Sequence, residues 1–290
     1  MTAAFKTVDP GEVSTGAFHQ WMLGAVAPRP VAFASTVDEH GRVNLSPYSF
    51  FNAFGSNPPL LVFSPTRGVR DNTNKHTLDN ARATGEVVIN VVNYAMVEQT
   101  SLASCAYPRG VNEFEKAGFT PLPSVRVKPP RVAESPAAFE CQVIQIIETG
   151  TEGGAGNLIL CRVVMAHFQT AFLDDQGRID PRKMDLVGRM GGDWYCRASG
   201  GALFEVPKPS TGLGIGVDRI PVEIRHSPVL TGNNLGRLGN AEALPDETSI
   251  RAFQSTPDIQ SIREQFGNDP AAERHHRHRL AQRYLEAGQV

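Results

Sequence analysis

Residues 30–64 read PVAFASTVDEHGRVNLSPYSFFNAFGSNPPLLVFS. Pro30–Val37 is rich in β-branched and apolar types, runs into the turn signal Asp38-Glu39-His40-Gly41, and resumes as a second extended piece at Arg42–Leu45. That is the pattern of a hairpin. Tyr48–Phe54 brings Phe50, Phe51 and Phe54 together, and after Ser56-Asn57-Pro58-Pro59 the apolar run Leu60–Ser64 reads as a buried strand. Four short strands in so short a span point to an antiparallel β-barrel or sandwich.

Outward from this stretch the chain stays mainly β with some α. Asn74 to Thr84 holds helix formers and ends at Gly85, a favoured left-handed cap, before the strand Glu86–Val92. Val97–Cys105 and Asn112–Ala117 read as short helices, whereas Thr120–Pro136 contains five prolines and is expected to be extended loop. Long strands are expected at Ala138–Thr149 and Asn157–Ala171, with a further hairpin turn at Asp174-Asp175-Gln176-Gly177. Only Phe253, Phe266 and Tyr284 of the 22 aromatics lie beyond residue 205. Residues 206–290 are therefore expected to be an extension, an arm ending in a helix over Glu273–Glu286, and residues 1–15 an N-terminal arm.

Composition excludes several classes. A net charge of −2 with both signs scattered gives no footprint for wrapping a polyanion, so no nucleic acid partner is expected. The first 25 residues include Asp9 and Glu12 and no signal-like apolar run. The longest aliphatic stretch, Val87–Val92, is interrupted by Asn90 and falls far short of the ~20 residues that span a bilayer, so no membrane association is expected either. Cys105, Cys141, Cys161 and Cys196 form no CxxC pair and fit reduced thiols in a cytoplasmic protein. No metal is expected: His275, His276 and His278 stand beside Arg274, Arg277 and Arg279, whose charge disfavours a cation, and read as a solvated helix face. His40 and His167 read as structural or exposed.

The commonest catalytic signatures are missing. Gly212-Leu213-Gly214-Ile215-Gly216 lacks the third glycine of a dinucleotide fingerprint, and no P-loop, HExxH or GxSxG occurs. A bound cofactor would then carry the chemistry. Residues 28–84 collect what such a cofactor needs. Asn74-Lys75-His76-Thr77 opens a helix, where free N–H groups and the macrodipole favour an anion, and the adjacent loop carries Arg67 and Arg70. Ser49–Asn52 offers backbone donors beside an apolar wall for a flat heteroaromatic ring, although the same four residues also read as an ordinary core strand.

The order PRPVAFAST, DEHGRVNLSPYSFFNAFGSNPPLLVFS, NKHTLDNARATGEVVINVV resembles the flavin reductase-like family of FMN-binding split barrels, which includes flavoredoxins. The resemblance spans roughly residues 16–205. It implies an FMN-binding split β-barrel with short helices, a homodimer holding FMN at the subunit interface, and transfer of hydride from NADH or NADPH to the flavin. Electrons then pass to an acceptor, such as a flavin-using oxygenase.

Carried over by position, the resemblance implies that Ser35 and Thr36 face the flavin phosphate or ribityl chain and that Ser49, Phe50, Phe51 and Asn52 line the ring. It implies that Asn74, Lys75 and Thr77 hold the phosphate, with Ser64 and Arg67 also in the cofactor site. Members often carry Lys-Asp-Thr at the helix start, where this chain has Lys75-His76-Thr77. Gly188–Arg197 is similar to a stretch near the flavin in longer members, and places Trp194, Tyr195 and Arg197 over the ring or at the nicotinamide ribose. No catalytic side chain is singled out, since flavin N5 takes hydride directly. Two alternatives stay open: an FMN-binding electron carrier or sensor without its own NAD(P)H site, and a related split barrel using haem or deazaflavin.

Overall fold

The computed structural model describes residues 4–207 and 212–289, so the first three residues of the expected N-terminal arm, and residues 208–211 and 290 of the extension, lie outside the described residues. Two compact units divide the chain at Phe204 and Glu205.

In the first unit, helix α1 (Thr15–Ala25) precedes strands β1 (Ala32–Val37), β2 (Val43–Tyr48), β3 (Phe51–Ser56) and β4 (Pro59–Phe63). Helix α2 (His76–Thr84), β5 (Glu86–Val91), α3 (Val97–Leu102) and α4 (Glu113–Ala117) follow. Then come the short strands β6 (Pro121–Leu122) and β7 (Arg131–Val132), and the long β8 (Ala137–Glu148) and β9 (Asn157–Phe168). Helix α5 (Pro181–Met184) and the hairpin β10 (Leu186–Arg189) and β11 (Tyr195–Ala198) complete the unit.

Seven strands form one sheet in the order β2-β1-β5-β8-β9-β4-β3, and every neighbouring pair is antiparallel. The first hairpin is closed by Asp38, whose carboxylate accepts the His40 and Arg42 amides at 3.0 and 2.9 Å, with Gly41 at φ 77°. Strand alternation sorts β1 between two cores. Ala32 and Ala34 face a cluster with Leu61, Phe63, Leu78, Ala81 and Ile159, while Phe33 packs with Leu45, Met96, Phe114 and Phe119. Strands β1 and β4 are separated by three others in the sheet order, yet both contribute to the one buried cluster that includes Leu78 of α2, so the sheet curls around that core. The rings of Tyr48 and Phe63, from β2 and β4, meet at 5.5 Å.

The proline-rich segment 120–136 holds two two-residue strands rather than loop alone, and acidic and amide side chains of the sheet pin it. Glu140 accepts the Val125 and Arg126 amides, Glu86 that of Lys128, and Asn90 that of Val132. The expected strand Tyr48–Phe54 is split, because Tyr48 ends β2 and Phe51 begins β3, leaving Ser49 and Phe50 as the corner between them.

The second unit contains α6 (Val222–Arg225), α7 (Gly232–Gly239), α8 (Glu247–Gln254), α9 (Pro257–Phe266) and α10 (Pro270–Glu286), more helix than the terminal one that composition suggested. Polar caps supply the starts: Thr231 and Asn234 form a capping box, and Asp246 and Asp269 accept first-turn amides of α8 and α10. Leu230, Ile259, Leu280 and Leu285 are buried in it. The histidines of α10 have ordinary structural partners: His276 stacks on Phe266 at 3.8 Å, and His275 Nε2 accepts from Arg279 Nε at 3.1 Å.

Candidate functional site

The head of α2 is an N-terminus without a side-chain cap. Lys75 occupies the cap position in extended conformation and its side chain makes no capping bond. The amides of Lys75, His76 and Thr77 have no acceptor among the described residues, and the exposed Lys75 ammonium forms no ion pair there. Such free N–H groups, with a cation at the positive end of the helix dipole, suit a phosphate.

The loop before α2 is folded by Arg67. Its guanidinium donates to Asn72 Oδ1 at 2.6 Å, to the Asn72 carbonyl at 2.7 Å and to Asn74 Oδ1 at 2.8 Å. Backbone bonds from Arg67 to Ala155 and from Gly154 to Arg67 tie the loop to the β8–β9 turn. Arg67 thus reaches the α2 head through Asn74, whereas Arg70 is exposed.

Thr77 is fully buried, and its hydroxyl accepts from Asn44 Nδ2 and from the Tyr48 phenol, each at 2.8 Å. Burial pushes the Tyr48 phenol up, which keeps it a neutral donor. This pair fastens the α2 head to the residue just before Ser49. On the other side of the corner, the Ser64 amide donates to the Phe50 carbonyl at 2.9 Å, and Ser64 Oγ accepts the Asn157 amide at 3.0 Å. Phe50 meets His19 of α1 edge-on, Phe51 packs against the core, and Asn52 is exposed on β3, the end strand of the sheet.

Arg29, which sequence reasoning did not single out, is the organising residue of the other flank. Only 6% exposed, it donates to the carbonyls of Leu23 (2.6 Å), Val26 and Met190 (2.9 Å), and to Ser49 Oγ at 3.5 Å. Its backbone pairs with Arg189 in both directions. The one visible signal is a cation locked between two prolines, Pro28-Arg29-Pro30, beside an apolar strand. Arg29 brings the β10–β11 hairpin to Ser49. On that hairpin Trp194 is 77% exposed, Tyr195 lies 4.7 Å under Arg189, and Arg197 forms a two-pronged pair with Asp185 at 2.6 and 2.7 Å. Arg197 also stacks over Tyr94, so its charge is already engaged.

Ser35 and Thr36 do not join this assembly at a surface. Both are fully buried and, as neighbours on β1, point to opposite faces of the sheet. Thr36 Oγ1 accepts from Asn80 of α2 at 3.1 Å, while Ser35 Oγ has no partner among the described residues.

Residues 23–180 match the sequence profile of the flavin reductase like domain. The chain belongs to the flavin reductase-like family. An uncharacterised protein of Aquifex aeolicus is 33% identical over 195 residues, 67% of this chain and 97% of that protein. Component B of a nitrilotriacetate monooxygenase from Bacillus cereus superposes with a TM-score of 0.66 at 29% identity, covering 71% of this chain and all of that one. A 2-nitrobenzoate 2-nitroreductase of Pseudomonas fluorescens gives 0.60 at 28% identity over the same shares. The flavoredoxin of Desulfovibrio vulgaris, at 23% identity, TM-score 0.53 and coverage of 62% and 91%, shares the fold. The first unit of this flavin reductase-like protein is accordingly a split β-barrel.

The family implies FMN, and the donor set fits it. A phosphomonoester needs cations and free amides, which Lys75, Arg67 and the uncapped α2 head offer together. The corner at Ser49 and Phe50, tied to that head through Tyr48 and Thr77, offers backbone groups and an aromatic wall for a ring. Among the described residues no helix is long and apolar enough to cross a membrane.

Proposed function

We propose that this flavin reductase-like protein is an FMN-binding, NAD(P)H-dependent flavin reductase that passes the electrons on to an acceptor. The observation that carries the reading is the α2 head: free amides and an unpaired lysine at a helix start, fastened by Tyr48 and Thr77 to the Ser49 corner. When bound, FMN supplies N5 as the hydride acceptor for NADH or NADPH.

The chain's own residues then bind and orient. Lys75, Asn74 and the first amides of α2 hold the phosphate, while Arg67 shapes their loop and adds positive charge. Ser49, Phe50, Phe51 and Asn52 line the ring, and Ser64 holds their corner from beneath. Thr77 belongs to the site through its amide, since its hydroxyl is engaged inward. Ser35 and Thr36 support the site from within β1, one on each of its two buried faces. Trp194 and Tyr195 offer a face to the nicotinamide half, and Arg197 orients that hairpin through Asp185 and Tyr94.

We assign the flavin site to residues 16–205, with 1–15 and 206–290 as appended segments, in a homodimer that holds FMN at its interface. The end strand β3, exposed with Phe54 at 67%, supports such pairing. The solved relatives named as a monooxygenase component and a nitroreductase support an oxygenase or a reducible small molecule as acceptor. Free thiols at Cys105, Cys141, Cys161 and Cys196 agree with a cytoplasmic setting. A second reading, an electron carrier, is favoured by one feature: Arg197 is committed to Asp185, and Arg189, the other cation of the hairpin, lies 3.8 Å from Asp193 and over the Tyr195 ring, so neither charge is left free for a dinucleotide.

The deciding experiment is an absorption spectrum of FMN-reconstituted protein before and after anaerobic addition of NADH or NADPH. Bleaching of the flavin band is expected. Bound flavin that stays oxidised selects the carrier, and failure to bind FMN overturns the site.

A further inference from the structure

Helices α6 to α10 of the second unit line a cleft of about 750 Å³, a volume in the range of small-molecule sites. Each helix contributes apolar wall, with Ile224, Leu238, Ile250, Phe253, Ile259 and Leu280 among the lining residues. Phe253 and Ile250 remain 47% and 41% exposed although they line a concavity, so the unit leaves apolar surface there facing water. An apolar body entering the cleft would cover it.

The polar part of the lining comes mainly from α10. Arg274, Arg277, His278 and Ala281 follow a three- and four-residue spacing and share one helix face. Arg277 pairs with Glu273 through Nη2, yet its Nε is buried with no hydrogen-bond partner among the described residues. A buried donor left in that state is costly unless something accepts from it. Arg274 is exposed and forms no ion pair among the described residues. His278 bonds through Nδ1 to Ser227 Oγ at 2.7 Å. Burial first, then Arg274 and His275, lower its pKa against the opposing pull of Glu223, a net shift that favours the neutral imidazole. Glu223, the other lining carboxylate, is exposed.

We propose that this cleft is a binding site for an amphipathic monoanion, a carboxylate with an aromatic or medium-chain aliphatic body. The carboxylate pairs with the exposed Arg274 guanidinium and with Arg277, whose side chain turns to present its buried Nε, and the body lies against Phe253, Ile250 and Leu238. Every residue that lines the cleft belongs to the second unit, so the proposal does not rest on the flavin-site reading.

The test uses the full-length protein saturated with FMN and the fluorescent anion anilinonaphthalene sulfonate as reporter. One reporter per chain is expected, displaced by decanoate, with decanol and decylammonium weaker by about tenfold or more, the loss of a charge-assisted contact. Arg277→Gln should weaken decanoate to a similar degree, and Leu238→Trp should abolish binding by filling the cleft while FMN affinity stays unchanged. Ile250→Trp, at a partly exposed position, replaces the filling variant if the first fails to fold. Equal displacement by decanol, unchanged decanoate affinity in Arg277→Gln, or no reporter binding overturns the proposal.

Discussion

Arg29 Nη2 donates to the Met190 carbonyl at 2.9 Å, joining the segment before β1 to the turn of the β10–β11 hairpin across 161 positions of sequence. The same guanidinium serves α1 through Leu23 and Val26 and reaches Ser49 Oγ. Burial first, and then the neighbouring Arg189, hold its pKa below the usual arginine value, yet the fork keeps its charge because several carbonyl oxygens surround it. The flank of the flavin corner therefore hangs on one cation.

Replacing Arg29 with Met should destabilise the first unit by about 3 kcal/mol. Hydrogen bonds to charged groups are worth ~1.5–3 kcal/mol each, and their loss here leaves the part-buried Leu23, Val26 and Met190 carbonyls without this donor. Arg29→Lys should recover only part, because an ammonium cannot reproduce the planar fork. Urea unfolding reads both, and an Arg29→Met variant within ~0.5 kcal/mol of wild type, the range of ordinary surface changes, would remove Arg29 from this role.

Lys75→Ala should weaken FMN binding by ~1.5–3 kcal/mol, the usual value of a charge-assisted contact. Stability should hardly change, since the side chain is exposed and unpaired among the described residues. Flavin fluorescence titration with thermal melting separates the two effects, and an unaltered affinity rejects the phosphate assignment.

Thr77→Val should behave in the opposite way. Its hydroxyl joins Asn44 and Tyr48 in a buried cluster, so the substitution strands two donors and should cost ~1–3 kcal/mol of stability. A Thr77→Val protein as stable as wild type would show that the cluster does not fasten α2.

Glu140 should make stability depend on pH. It is fully buried, and although burial acts to raise its pKa, the Val125 and Arg126 amides, followed by His167, outweigh that and hold it below the ordinary value. The unfolded chain titrates near ~4.3, so this stabilisation is complete above that pH and is lost as pH falls through the lower folded value. Urea unfolding at about pH 7 and about pH 3 should show a decline that Glu140→Gln lacks in part. Equal slopes in the two proteins count against the assignment.

What was legible in the sequence was whatever depends on local chemistry. The turn at Asp38–Gly41, the strand Leu60–Ser64 and the helix ending at Gly85 follow from turn residues, β-branched runs and a left-handed cap, all of which act within a few residues. Helix α1 was not legible because none of its residues is buried and two are glycine, so no apolar stripe marks it. The orientation of Ser35 and Thr36 was hidden for a different reason. Adjacent strand residues must face opposite ways, and only the tertiary packing, with Asn80 over Thr36 and a second core on the other face of β1, shows that both faces are covered. Arg29 was missed because its partners Leu23, Ser49 and Met190 meet only after the hairpin has docked.

Trp194 provides the sharpest separation between reductase and carrier. It is 77% exposed at the tip of the hairpin that Arg29 holds, so truncating it removes a face without opening the core. In the reductase reading, Trp194→Ala should raise KM for NADH or NADPH several-fold, as loss of an aromatic contact of ~1 kcal/mol entails, with FMN affinity and melting temperature unchanged. Steady-state oxidation of NADH and NADPH with FMN in excess measures the first, and flavin fluorescence the second. A fall in FMN affinity instead would place Trp194 over the flavin ring, and an unchanged KM would leave the dinucleotide to be received elsewhere than on this hairpin.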